Sequence, residues 1–269
     1  MKIALVCPHP PTIPTLLERY VTPPLGLQIL AAKTPDKHYV KIIDERFRKA
    51  KMREHYDVIG ITPIAASVPH AYKEADEYRK NGIKVIIGGY HASVLPEEAK
   101  QHADSVVLGE AEQLWPRILE DIKIGRLKPF YKCEGPLDPG LIPAAKRDAS
   151  ENRYLIAGIQ ATRGCPAGCK FCMIRKNEGI RFRSRPVQNV INEIENINNK
   201  RLVFFDASLT IDPKYSISLF KEMKSLNKKF VCNGTINVLS QNEELLKNAR
   251  EAGCTSWFIG FESIIQKLS

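Results

Sequence analysis

Five short apolar runs recur through the first half of the chain: IALVC (3–7), YVKIID (39–44), VIGIT (58–62), KVIIGG (84–89) and SVVLGE (105–110). Runs of this length, bounded by turn residues, read as buried strands. Helical patterns lie between them. PPLGLQILAAK opens on prolines suited to a helix start. VPHAYKEADEYRKNG ends on an Asn-Gly stop. LPEEAKQHA sets two acids in its first turn, where the helix dipole favours them. Strands alternating with helices pair in parallel, so residues 1–125 are expected to form one α/β domain.

Five strands with intervening helices predict a flavodoxin-like (Rossmann-like), doubly wound sheet, whose ligands sit at the carboxyl ends of the strands. That rule selects Gly88-Gly89-Tyr90-His91 after the fourth strand and Gly109-Glu110 after the fifth. Paired glycines at a strand end let a ligand approach the backbone closely, although a plain tight turn has the same composition. The first crossover is CPHPPTIP, without a glycine. It is not a G-x-G-x-x-G phosphate turn, which argues against a nicotinamide-binding Rossmann domain.

Residues 126–152, RLKPFYKCEGPLDPGLIPAAKRDASEN, are rich in Pro, Gly and charge and read as an ordered linker. Alternation then resumes over 153–269. RYLIAGIQAT is a strand, PVQNVINEIENI an amphipathic helix and RLVFFDA a strand. DPKYSISLFKEMKSL follows as a helix, KFVCNGTI as a strand, NEELLKNAREAG as a helix and TSWFIGFE as a strand. Four strand–helix units are visible there.

The opening MKIALVCPHPPTIP is too short in apolar residues for a signal peptide or a membrane span, so a cytoplasmic location is expected. Reduced cysteines follow from that compartment. The net charge of +10 is scattered, and its one dense stretch, RKNEGIRFRSR (175–185), reads as a solvated basic face. Charge therefore does not argue for a nucleic-acid partner.

Three of the seven cysteines fall in RGCPAGCKFC: Cys165, Cys169 and Cys172, spaced C-x3-C-x2-C. Structural zinc needs four ligands. All six histidines lie at or before His102, so zinc survives only with Cys232 or Cys254 as a distant fourth ligand. A disulfide leaves one cysteine over, and core cysteines do not suit a loop with glycines at 164 and 168. A 4Fe–4S cluster ordinarily takes four thiolates. Held by three, it keeps one iron open to a substrate or cofactor.

The phrase ATRGCPAGCKFC, with Phe171 before the last cysteine, resembles the radical S-adenosylmethionine (SAM) enzymes, as do RFRSRPVQNVINEI after it and FIGFES (258–263). The resemblance implies a 4Fe–4S cluster on Cys165, Cys169 and Cys172, whose open iron binds SAM. It places Phe171, Gly260, Glu262 and Ser263 beside that cofactor. It also implies an electron donor such as flavodoxin or ferredoxin. Asp206, in FFDASLTID, stands where relatives often carry an acidic motif. A strand-end or helix-capping aspartate is as good a reading.

PPLGLQILAA, VIGITPIAAS, KVIIGGYHAS and VVLGEAE resemble the cobalamin-binding domain of class B radical SAM enzymes. The resemblance then covers essentially the whole chain and implies cobalamin near Thr62, Gly88, Gly89, Tyr90, Gly109 and Glu110. The D-x-H-x-x-G motif of histidine-ligated cobalamin proteins is missing at CPHPPT, so no protein histidine is expected beneath the cobalt. Methylthiotransferases acting on tRNA resemble the barrel half, but carry three cysteines in their first domain, where this chain has one. The implied activity is methyl transfer to an unactivated carbon of a small molecule, with rearrangement or cyclisation as the alternative. A barrel needs about six strand–helix units. The partial radical SAM barrel is thus expected to be a fragment, a decayed gene product or a split protein completed by a second polypeptide, and a module inactive alone in the limiting case.

Overall fold

The computed structural model describes residues 1–9, 22–47, 54–150 and 154–261. In its first sheet the strands β1 (Lys2–Cys7), β2 (Tyr39–Asp44), β3 (Val58–Ile61), β4 (Lys84–Ile87), β5 (Ser105–Leu108) and β6 (Phe130–Lys132) run parallel in the order 2-1-3-4-5-6. The order reverses at β1, which pairs with both β2 and β3, and so creates the switch point of a doubly wound sheet. Strand β6 lies inside 126–152, the segment expected to be a linker. Its three residues, FYK, are too few to show a pattern among prolines and charges. Tyr131 anchors it by burying its ring and donating its hydroxyl to Asp121 at 2.5 Å.

Strand pleating sends alternate residues to opposite faces. Ile3 and Leu5 of β1 pack with α1 (Leu25–Ala32) and with a further helix at Trp115–Lys123, through Leu27, Trp115 and Ile118. Ala4 and Val6 face the other way, onto α2 (Val68–Lys80) and the short helices α3 (Tyr90–Val94) and α4 (Pro96–Gln101). The helix at Trp115–Lys123 is α5. Both faces are covered, which is why these strands read as unbroken apolar runs.

The chain divides into two compact units, Met1–Leu137 with Ile142–Arg153, and Asp138–Leu141 with Tyr154–Ser269. In the second, β7 (Ile156–Ile159) leads to a small antiparallel pair, β8 (Thr162–Arg163) and β9 (Arg183–Ser184), which brackets the cysteine loop. Strands β10 (Arg201–Phe204), β11 (Lys229–Asn233) and β12 (Cys254–Phe258) join β7 in a parallel sheet of sequential order 7-10-11-12. Within the cysteine loop lies α6 (Ile174–Asn177). Helix α7 (Val187–Glu195), α8 (Pro213–Met223) and α10 (Glu243–Glu251) cover one face of the sheet, with the single turn α9 (Ile236–Leu239) before α10.

Helix α8 starts where Asp212 accepts the amide N–H groups of Lys214 and Tyr215, and Pro213 fits its first position. Phe204, Phe220 and Phe230 form the centre of this core, with ring centroids 5.4 and 5.5 Å apart. The arrangement is a set of repeated strand–helix units with helices on one side, as a partial barrel requires. Among the described residues, β12 pairs only with β11.

Candidate cofactor sites

The cysteine loop leaves β8 through Gly164 and returns through β9. Gly164 has φ +78°, and a Cβ there would lie 2.1 Å from the carbonyl oxygen of Arg181. Only glycine meets both demands. Buried Glu178 accepts the Gly164 amide at 2.9 Å, and Gly179 O accepts the Cys165 amide at 3.2 Å. The Arg183 guanidinium donates to Glu178 O at 2.6 Å. Arg185 donates to Gln160 O at 2.8 Å and pairs with Glu193 on α7 at 2.8 Å.

Arg183 and Arg185 are therefore buried, which corrects the reading of 175–185 as wholly a solvated face. Their forked donors satisfy backbone carbonyls that the irregular loop leaves unpaired. The other basic residues of that run keep the expected exposure: Arg175, Lys176 and Arg181 lie outside the core.

Asp206, at the end of β10, ties down the other side of the loop. Its Oδ1 accepts the Ala161 amide at 3.0 Å, the Thr162 hydroxyl at 2.6 Å and the Thr162 amide. Among the described residues, the Oδ2 atom is buried with no hydrogen-bond partner. Burial pushes the Asp206 carboxyl up to about 7, against the opposing pull of the Thr162 and Ala161 donors. Of the two readings, strand-end aspartate holds, and the helix cap nearby is Asp212 instead. Asn233 of β11 adds a side-chain bond to Asp206 O at 2.8 Å. The ends of β7, β10 and β11 are thus bolted together directly behind the cysteine loop.

Cys165 and Cys172 are half-buried, Cys169 is exposed, and all three are free thiols. Cys172 N–H donates to Cys169 O, which folds the last two ligands into one turn. Cys232 and Cys254 face each other with sulfurs 4.0 Å apart, and Cys232 is buried in the sheet. Neither supports the zinc reading that needed one of them as a distant fourth ligand. Among the described residues, the ligand atoms gathered closely enough for a single ion are those of Glu45, His70 and Glu74, not the three thiols. A cubane spreads its ligands over separate irons and needs no such closeness. Three free thiols on an anchored, solvent-facing loop fit it.

Phe171 is 66 % exposed beside the last thiol, and Gly260 is exposed just beyond β12. Glu262 and Ser263 lie outside the described residues. Phe258 and Phe261 are 74 % and 70 % exposed, so the carboxyl end of β12 presents aromatic surface.

In the first unit, the residues expected near cobalamin cluster at the carboxyl ends of β3, β4 and β5. Gly89 has φ +95°, and a Cβ there would lie 2.8 Å from Thr62 Cγ2, so glycine keeps the β4 turn against Thr62. Ser93 on α3 donates to Gly89 O at 2.8 Å and accepts the Gly109 amide at 3.0 Å, joining the two glycine turns. Gly88 packs on Val107, and Tyr90, the first residue of α3, is 42 % exposed. Glu110 is buried and accepts the Leu137 amide at 2.6 Å, so it braces the loop. This close floor of small residues fits a large planar ligand that must approach backbone.

Cys7, at the end of β1, has its thiol pushed up to about 12, by burial first and Asp44 second. It stays protonated at neutral pH. His9 offers its backbone amide to Glu45 at 3.2 Å, and the imidazoles of His70, His91 and His102 each pair with carboxylates. Sequence reasoning missed Glu178, Ser93 and the buried arginines. The one available signal was the lone acid inside a basic run. No helix among the described residues is long and apolar enough to cross a membrane.

Comparison with known proteins agrees with this geometry. Residues 18–119 match the B12 binding domain family, and residues 159–267 match the Radical SAM superfamily. Bacteriochlorophyllide d C-8(2)-methyltransferase of Chlorobaculum tepidum is 32% identical over 264 residues, covering 90% of this chain and 58% of that protein. The C-12(1)-methyltransferase of the same organism is 32% identical over 278 residues, covering 98% and 60%. The chain therefore spans about three-fifths of the length of these curated relatives. Among solved structures, the cobalamin-dependent S-adenosylmethionine radical enzyme OxsB, with aqua-cobalamin and S-adenosylmethionine bound, has a TM-score of 0.77 at 16% identity, over 97% of this chain and 44% of that one. TsrM from Kitasatospora setae, with cobalamin and a [4Fe-4S] cluster bound, gives 0.76 at 16% identity, over 99% and 62%. At that identity the two likenesses establish the fold. With a B12-binding domain ahead of a radical SAM domain, the chain belongs to the cobalamin-binding radical S-adenosylmethionine family.

Proposed function

We propose that the chain provides the cofactor-binding portion of an enzyme that transfers a methyl group to an unactivated carbon of a small molecule. The observation that carries the reading is the anchored three-thiol loop at the ends of a parallel partial barrel, in one chain with a B12-binding domain. The names of the two bacteriochlorophyllide relatives, both methyltransferases, support methylation over rearrangement.

When bound, the cluster supplies the electron that cleaves S-adenosylmethionine, and cobalamin carries the methyl group. Cys165, Cys169 and Cys172 hold the cluster, with Gly164, Glu178 and Asp206 fixing their loop. Phe171, Gly260, Glu262 and Ser263 border S-adenosylmethionine. Thr62, Gly88, Gly89, Tyr90 and Gly109 form the floor for cobalamin, and Glu110 holds that floor in place. A flavodoxin or ferredoxin delivers the electron. No protein histidine is proposed as a cobalt ligand, because the first crossover, CPHPPT, lacks the D-x-H-x-x-G motif.

Anaerobic reconstitution with iron, sulfide, cobalamin, S-adenosylmethionine and a reductant tests the proposal. Formation of 5′-deoxyadenosine, lost together with bound iron in Cys169→Ala, is the expected result. A second reading, a binding module inactive by itself, is favoured by a second sheet that has four strands among the described residues. A normal cluster without cleavage would select it. A chain that binds no iron would refute both.

A further inference from the structure

Cys232 on β11 and Cys254 on β12 are unused by either cofactor site, yet their sulfurs lie 4.0 Å apart. Cys232 is 1 % exposed, whereas Cys254 is half-buried. A register shift between Phe230 and Val231 interrupts the β11–β12 ladder beside them. Such irregularities bend a strand and re-aim its side chains. We propose that Cys232 and Cys254 form an oxidisable cross-strand thiol pair, closed to a disulfide by a small-molecule disulfide such as oxidised glutathione.

Closing the bond needs the sulfurs to move from 4.0 Å to about 2.05 Å. The two thiols are unequal, which assigns their roles. The hydrogen bond shared by the two sulfurs holds the Cys254 thiol below its usual range. Burial, and then that same bond, pushes Cys232 far up. Cys254 is thus the attacking thiolate, both more accessible and more ionised.

Its sulfur displaces one glutathione thiolate from oxidised glutathione and forms a mixed disulfide. The Cys232 sulfur then attacks Cys254 Sγ, its proton passing to solvent, and the second glutathione thiolate leaves. Two thiols lose two electrons and two protons, and one glutathione disulfide becomes two thiols. The exchange is reversible, because an incoming thiolate can attack a sulfur of the closed bond. Closure would tether β12, the strand that leads into Phe258 and Gly260, to β11.

The test uses the cluster-loaded full chain under anaerobic conditions, titrated with oxidised glutathione, alkylated and digested for mass spectrometry. A peptide linked through Cys232 and Cys254, reversed by dithiothreitol, is expected in the wild type. Cys232→Ser and Cys232→Ala should instead accumulate glutathione on Cys254, and Cys254→Ser should show neither product at these positions. A wild-type chain that keeps a stable adduct on Cys254 without the cross-link would overturn the proposal. So would one in which both thiols remain alkylatable under a tenfold excess of oxidant. Neither readout depends on catalytic turnover.

Discussion

Replacing Asp206 with asparagine should make the second unit less sensitive to alkaline pH. The carboxyl titrates at about 7 in the fold, against about 3.9 in an unfolded chain. As pH rises past 4, the unfolded state releases this proton while the folded state keeps it. The unfolded state then binds fewer protons, so stability falls with pH until the folded carboxyl ionises near 7. Three pH units of separation correspond to about 4 kcal/mol, of which about 3 kcal/mol falls between pH 5 and pH 8. The asparagine amide would keep an oxygen for the Ala161 and Thr162 donors but would have no proton to lose. The difference in stability between Asp206→Asn and wild type should therefore move by about 3 kcal/mol in favour of the variant over that range. Urea unfolding at pH 5 and pH 8 reads it, in a Trp115→Phe background where Trp257 is the remaining tryptophan. Parallel pH dependence in the two proteins would refute the claim that burial dominates at Asp206.

Other substitutions probe the two sites separately. Gly164→Ala forces a Cβ against Arg181 O at a left-handed φ, and should lower bound iron after reconstitution while cobalamin binding persists. Gly89→Ala pushes on Thr62 and should do the reverse, weakening cobalamin binding, measured by equilibrium dialysis, with iron content retained. Arg185→Met removes the ion pair to buried Glu193 and the donor to the Gln160 carbonyl, and should cost about 3–5 kcal/mol in urea unfolding, the range for a broken buried ion pair. Arg185→Lys should recover little of that, since a single ammonium does not reproduce the guanidinium fork.

Much of this protein was legible along the chain. The apolar runs of the first half matched β1 to β5 nearly to the residue, because strands buried on both faces leave an unbroken signal. The second-half alternation located β7, β10, β11 and β12 in order, with runs that extend past the strand ends. Strand β6 escaped notice because three residues among prolines carry no period.

The spacing of Cys165, Cys169 and Cys172 marked the candidate cluster loop, since residues on one loop are neighbours in sequence. What holds that loop was not visible. Asp206 stands 44 residues from Thr162, and Arg185 meets Gln160 across 25. Arg183, Arg185 and Glu178 sit in a run whose composition alone says solvent.

Sequence by itself determined the elements, their alternation and the grouping of three thiols on one loop, all properties of local period and spacing. Only the tertiary structure decided which charged residues are buried, which carboxyl is left with an orphaned oxygen, and which two cysteines meet. Those outcomes depend on which strand ends the sheet brings together, and strand neighbours are set by packing between segments far apart in the chain.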